Sequence, residues 1–210
     1  MSSARELLLK FASGSIAAQR RRAFSLLELL MVIVLVSILA KMVITNAVST
    51  AYDQLHSVAN IVAGELAYAR GLAVGNDSTY CFTLDTTNNR LVLTYTGSDP
   101  TLATLPNSPF RSPTDASNQY TVSLSTLPSL GIPVKLLGGQ AVGTTTQTIT
   151  SVEFGPYGST TQANQSVLWL TAGTGTSRRY ISVTVNPVTG LSSVGTYTNA
   201  APSGITIPSP

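Results

Sequence analysis

The run FSLLELLMVIVLVSILAKMVI, residues 24–44, constrains this chain more than any other stretch. It is almost wholly apolar, and its only charges are Glu28 near the start and Lys41 near the end. Leu, Met, Ala and Glu favour helix, and no proline occurs before Pro100. At 1.5 Å per helical residue such a length can cross roughly 30 Å of hydrocarbon. A water-soluble globule has no use for an uninterrupted apolar run of this kind, so a membrane span is expected. The difficulty is Glu28. An ionised carboxylate in hydrocarbon costs several kcal/mol even after relaxation, so it should be paired or protonated. One minimal explanation is that an acid in the first turn complements the helix dipole.

The charges divide sharply about this run. Arg5, Lys10, Arg20, Arg21 and Arg22 precede it against a single acid, Glu6. From Phe24 onward there are seven basic and eight acidic residues, so the basic pI of about 9.2 belongs to the leader. A near-neutral body argues against nucleic-acid binding. Basic residues before the span keep the N-terminus cytoplasmic and send the remainder across the membrane. The lone cysteine, Cys81, has no internal disulfide partner and lies in an apolar alternating stretch, which reads as a small buried hydrophobe.

Beyond the apolar run the helical period continues with a polar side. Val48, Tyr52, Leu55, Ala59, Val62, Leu66, Ala69 and Ala73 recur every three or four residues. Asp53, Gln54, Ser57, Asn60 and Arg70 fall elsewhere on the wheel, and Gly75-Asn76-Asp77 ends the pattern. One helix is expected from about Ser25 to about Val74. From Thr79 the period becomes two, with Leu91, Leu93 and Tyr95 on one face of one strand. Tyr120, Val122 and Leu124 share a face of a second, and Ile181, Val183 and Val185 of a third. DTTNNR and NPVTG read as hairpin turns. A Pro/Ser/Thr/Asn-rich loop is expected from Gly97 to Asn118, and APSGITIPSP reads as a tail, loose at its end.

The expected fold is therefore α+β: a long N-terminal membrane-spanning and then amphipathic helix, its second half against a C-terminal antiparallel β domain of about seven or eight strands. The parts are a basic leader (1–23), the membrane half of the helix (24–44), its amphipathic half (45–75) and an exported β domain (76–210).

The junction between leader and apolar run is specific. It reads Arg20-Arg21-Arg22-Ala23, then Phe24-Ser25-Leu26-Leu27-Glu28. An ordinary secretory signal places a small-x-small site after a shorter apolar core; here the small residue precedes the core. This arrangement resembles the type IV pilin and pseudopilin family, whose leader ends in a small residue followed by an aromatic or Met, Ser or Thr, two apolar residues and a glutamate. The resemblance implies that a prepilin peptidase cuts between Ala23 and Phe24 and methylates the new Phe24 amine. It also implies that Glu28 pairs with the terminal amine of a neighbouring subunit as helices stack into a filament, fixing their axial register. The chain departs from the family in having Ala23 where Gly is usual and in lacking a helix-kinking proline near Thr45.

Weaker similarity extends further, and the fold it implies is a long N-terminal helix packed on a C-terminal antiparallel β-sandwich-like domain. Arg70 and Ala73 in LAYARGLAVGNDSTYCFTL, Phe154, Pro156 and Gly158 in VEFGPYGST, and Thr189-Gly190 in the last hairpin resemble the minor H-type pseudopilins of type II secretion and FimT-type minor pilins. Some relatives that bind DNA carry arginines after that Thr-Gly; here Leu191-Ser192-Ser193 follow, and Arg178-Arg179 read as a solvated hairpin edge. The partners implied are other pseudopilins or pilins in a filament, the prepilin peptidase, an inner-membrane assembly platform and membrane lipid, with no nucleic acid.

No catalytic constellation stands out. His56 has no second His or acid cluster near it in sequence and reads as a solvated residue. Gly173-Thr174-Gly175 reads as a hairpin turn and not as half of a phosphate loop. Asp77, Asp85, Asp99 and Asp115 are scattered and lack calcium-loop spacing. The expectation is a non-enzyme with no metal and no cofactor. The principal rival from another class is a membrane-anchored β module that captures a surface ligand.

Overall fold

The computed structural model describes residues 25–47, 51–105, 116–127 and 133–207. They form two compact units that divide after Ala47. The first contains helix α1 (Leu26–Ala47). The second contains helix α2 (Ala51–Gly75) and nine strands: β1 (Tyr80–Asp85), β2 (Arg90–Tyr95), β3 (Gln119–Ser123), β4 (Val134–Val142), β5 (Thr146–Ile149), β6 (Ser151–Phe154), β7 (Gln165–Ala172), β8 (Arg179–Val185) and β9 (Ser192–Val194). The class is α+β as expected. The single helix expected from Ser25 to Val74 is described in these two parts, and Val48 lies outside the described residues.

The amphipathic stripe on α2 is the source of the core. Leu55, Ala59, Val62, Leu66, Ala69 and Ala73 are fully buried, and Val58 joins them. Two readings of this helix need correction. Tyr52, at the stripe's end, is 42% exposed even though it packs edge-on against Tyr197 at 4.6 Å. Gln54, expected on the polar side, is buried. The helix stops in a Schellman arrangement: Ser78 N donates to the Ala73 carbonyl at 3.0 Å, and Asp77 takes the left-handed conformation (φ 47°) that glycine usually supplies. Within the expected stop, Gly75-Asn76-Asp77, it is Asp77 that makes the turn.

All the strand pairs are antiparallel and fall into two sheets, β3-β2-β1-β6 and β5-β4-β7-β8-β9. The chain passes from one sheet to the other at Thr150, whose carbonyl accepts from Leu84 N at 2.8 Å. α2 packs against β8 and β9 of the larger sheet and β1 of the smaller. The alternation read from the sequence defines the inner faces: Leu91, Leu93, Tyr120, Val122, Leu124, Ile181, Val183 and Val185 are buried. They share one core with the helix stripe. Tyr95 is only partly buried and reaches Ser78 Oγ at 3.0 Å. The sheets approach so closely at β4 that a Cβ on Gly139 would lie 2.6 Å from Leu84 Cδ1.

Both predicted turns exist. In the first, Asp85 accepts from Asn88 Nδ2 and from Arg90 Nε at 2.7 Å each, and from Asn88 N at 3.0 Å. These bonds hold its carboxyl down at about 2. Asn89 then turns back (φ 52°), its amide donating to Val134 O at 2.8 Å and accepting from Leu136 N at 2.7 Å. A turn side chain thus ties the smaller sheet to β4. The loop from Gly97 to Asn118 is not wholly irregular: a 3-10 turn, Pro100–Ala103, is capped by Asp99, and Leu105 is buried. The very end of the tail, residues 208–210, lies outside the described residues; before it the tail is anchored. Pro202 is buried, and the carbonyl of Ser203 accepts from Gln140 Nε2 at 2.6 Å.

Candidate functional site

None of the described α1 side chains, Leu26 to Leu39, is buried. Leu26 (81% exposed), Leu30, Ile33 and Leu39 are uncovered, as are the apolar residues between them. A helix that is apolar all round has to be covered by lipid or by other helices. Ser37 Oγ donates to the Ile33 carbonyl at 2.7 Å, so this hydroxyl presents no unmet donor to an apolar surrounding. Glu28 occupies the first turn and has no hydrogen-bond or ion-pair partner among the described residues. The side chains of α1 are described from Leu26 to Leu39. Among the described residues no helix is long and apolar enough to cross a membrane. Arg20, Arg21, Arg22, Ala23 and Phe24 lie outside the described residues.

The second cluster gathers residues that are far apart in sequence. Phe154 is fully buried at the end of β6 opposite Tyr80, and after it the chain turns sharply. Gly158 (φ 77°) donates to the Gly155 carbonyl, and Gly155 to that of Ser159, both at 2.9 Å. Pro156 stands between them and helps fix the turn. The NPVTG turn is built by Asn186, whose Oδ1 accepts from Val188 N and Thr189 N at 3.0 Å each. It closes through Gly190 N to the Asn186 carbonyl at 2.8 Å, with Gly190 at φ 62°.

Arg70 joins the two turns. Its Nε donates to the Thr189 carbonyl at 2.7 Å. A Cβ on Gly158 would lie 3.0 Å from that same Nε, and a Cβ on Gly190 would collide with the Gly158 carbonyl oxygen. Thr160 N donates to Pro187 O at 2.8 Å and completes the junction. So Arg70, Gly158, Thr189 and Gly190, quoted above only for their similarity to other chains, meet at the C-terminal end of α2, while Ala73 beside them faces the core. Asn186, which no sequence argument singled out, orders half of this junction. The Asn-Pro start of its turn was the available signal.

The remaining candidates have local roles. His56 is exposed and its Nδ1 meets Asn60 Nδ2 at 2.9 Å. Cys81 is half-buried, not fully buried as expected, and burial pushes its thiol up, away from the reactive thiolate. Asp77, Asp85 and Asp99 each serve a different turn, and Asp115 lies outside the described residues. Gly173-Thr174-Gly175 is the β7–β8 connection, as read. Arg178 and Arg179 are half-buried and not freely solvated, because Arg179 Nη1 is spent on the carbonyls of Thr176 and Arg178 at 3.0 and 2.9 Å. Among the described residues no group of three or more His, Cys, Asp or Glu side chains could hold a metal ion.

Glu65 was not anticipated. It sits on α2 beneath Tyr120, and burial outweighs the Tyr120 hydrogen bond and raises its pKa above the ordinary carboxylate value. Its Oε2 is enclosed without a partner.

No curated protein and no solved structure matches the chain. Residues 18–41 match a family model described as the prokaryotic N-terminal methylation motif. The matched stretch takes in the three arginines, the Ala23-Phe24 junction, Glu28 and most of the apolar run. The N-terminal segment thus carries the motif of type IV pilin-like proteins, which supports membrane anchoring, prepilin-peptidase processing and assembly with other pilins in a pilus or pseudopilus.

Proposed function

We propose that this chain is a minor pseudopilin, a structural subunit of the type II secretion pseudopilus and not an enzyme. Cleavage and methylation fall at Ala23/Phe24, and the mature chain is held in the inner membrane by residues 24–44. Its N-terminus faces the cytoplasm until cleavage, and the domain from residue 76 lies on the outer side. The observation that carries the reading is the methylation motif over residues 18–41, with Glu28 in the first turn of a helix whose exposed described side chains are otherwise almost all apolar. Cutting before Phe24 creates a cation in the same plane as this acid. Adjacent subunits then bury an amine against a carboxylate, and one such pair sets the axial offset of helices that otherwise slide freely.

A minor type IV pilin is the close alternative. The uncharged Leu191-Ser192-Ser193 and the engaged Arg179 disfavour a DNA-uptake member of that group. The test is Glu28→Val in the membrane-extracted protein. Insertion and cleavage should be normal, since an apolar residue replaces a costly acid. Filament incorporation should fail, because a neighbour's amine is left buried and unpaired at a penalty on the order of 3 kcal/mol per contact. Co-purification with pseudopilin partners at wild-type yield would overturn the proposal.

A further inference from the structure

The body of the chain is near neutral, yet its charges are not evenly mixed. They separate along α2. At the start of this helix Tyr52 packs on Tyr197, and the backbone of Thr198 exchanges bonds with Tyr180 at 2.9 and 2.8 Å. Arg179, which opens β8, and Arg178 before it therefore lie at this end. β4 begins beside them, because Thr171 pairs with Lys135 on one side and with Tyr180 on the other. The β1–β2 turn arrives here too, through the bonds of Asn89 with Val134 and Leu136, and it brings the Arg90–Asp85 pair.

Among the described residues this end carries four cations, Arg90, Lys135, Arg178 and Arg179, and two acids, Asp53 and Asp85. The other end is the reverse. Asp77 closes α2, Ser78 beside it bonds the Tyr95 hydroxyl, and that hydroxyl accepts from Asp99 N at 2.7 Å. Glu153 stands opposite Cys81 near the start of β1. Against these three acids the described cation is Arg70, on Thr189. At the basic end Lys135 is exposed, as is the hairpin tip from Thr174 to Ser177. Tyr52 and Tyr197 are 42% and 49% exposed there.

The basic end is also the one that continues into the apolar run. Residues 45–50 alone separate Ile44 from Ala51, where α2 starts. Even fully extended they reach only about 25 Å. A bilayer that holds residues 24–44 thus keeps this end close to its surface. Each Lys or Arg near an anionic surface adds to the attraction, and tyrosines, apolar in the ring and polar at the tip, suit the headgroup layer. A dissolved polyanion would meet the same cations, but the short tether gives lipid the higher effective concentration.

We propose that the end of the domain at which α2 starts docks on anionic lipid headgroups before the subunit joins others. Lys135, Arg178 and Arg179 meet the phosphates, and Tyr52 and Tyr197 enter the headgroup layer. The proposal rests on membrane anchoring through residues 24–44 and is independent of the choice between pilus and pseudopilus.

Hydrogen exchange tests it on the full-length protein in nanodiscs of phosphatidylcholine, with and without phosphatidylglycerol. Phosphatidylglycerol should slow exchange over residues 173–178, leave the turn at 186–190 unchanged, and lose its effect in high salt. A DNA duplex added to the phosphatidylcholine discs should give no such protection. Lys135→Gln and Thr174→Glu, both at exposed positions, should melt as the wild type does and should each weaken the protection about fivefold. Equal exchange in the two lipids, equal slowing at both ends, protection by the duplex, or undiminished protection in folded Thr174→Glu would each overturn the proposal. Protein that fails to enter discs of either composition would overturn the anchoring as well.

Discussion

Replacing Gly190 by alanine tests whether the Arg70 junction is held by close packing or only by turn geometry. At φ 62° any L side chain is disfavoured, by about 1–2 kcal/mol. At Gly190 the new Cβ also runs into the carbonyl oxygen of Gly158 and comes within 3.0 Å of Arg70 Cδ. The first obstacle is backbone and cannot rotate away, so one of the two turns must shift, adding overpacking strain of about 1–3 kcal/mol. The expected loss is about 3 kcal/mol. Gly175 supplies the control: its φ is 55°, yet a Cβ there meets nothing within 4 Å. Gly175→Ala should therefore lose only about 1–2 kcal/mol. Urea unfolding of the full-length protein in detergent reads both, as shifts of the midpoint at constant slope. At roughly 2–4 °C per kcal/mol for a chain of this size, the melting temperatures should fall by about 9 °C and 4 °C. Equal losses in the two variants would refute the packing argument.

Ala23→Leu should block maturation, because a peptidase pocket shaped for Gly or Ala has no room for a branched four-carbon side chain; intact mass distinguishes a start at methylated Phe24 from an uncut Met1. A reporter fused after Pro210 should be active only outside the cytoplasm, and cytoplasmic activity would reverse the assigned topology. For Glu65 the fold favours the protonated form, since its pKa is raised. That contribution is complete below the ordinary carboxylate value and is lost as pH climbs through the raised one. Glu65→Gln should accordingly match the wild type in melting temperature at pH 4 and exceed it at pH 7, and a parallel offset at both pH values would contradict this.

The N-terminal methylation motif was readable from the sequence because it is local. The order of Arg22, Ala23, Phe24 and Glu28, and the unbroken apolar run after them, need no tertiary partner to be recognised. The helix stripe of Leu55, Val62 and Leu66 and the alternation of Leu91 with Leu93 or Ile181 with Val183 were legible for the same reason, since period alone fixes which side chains share a face. Strand β4 was not read: it is buried on both faces around Gly138-Gly139, so it shows no alternation. Tertiary structure alone decided the rest. Arg70 is separated from Thr189 by 119 positions, and only the packing of α2 across both sheets brings its guanidinium to that carbonyl. Nothing local in Asn89 or Gln140 says that one ties two sheets together and the other pins the tail. Nor does residue type tell that Glu65 is covered while His56, nine positions earlier on the same helix, is exposed. Those outcomes depend on what the second sheet and the C-terminal segment place above each side chain, because burial and hydrogen-bond partners are set by the surface opposite.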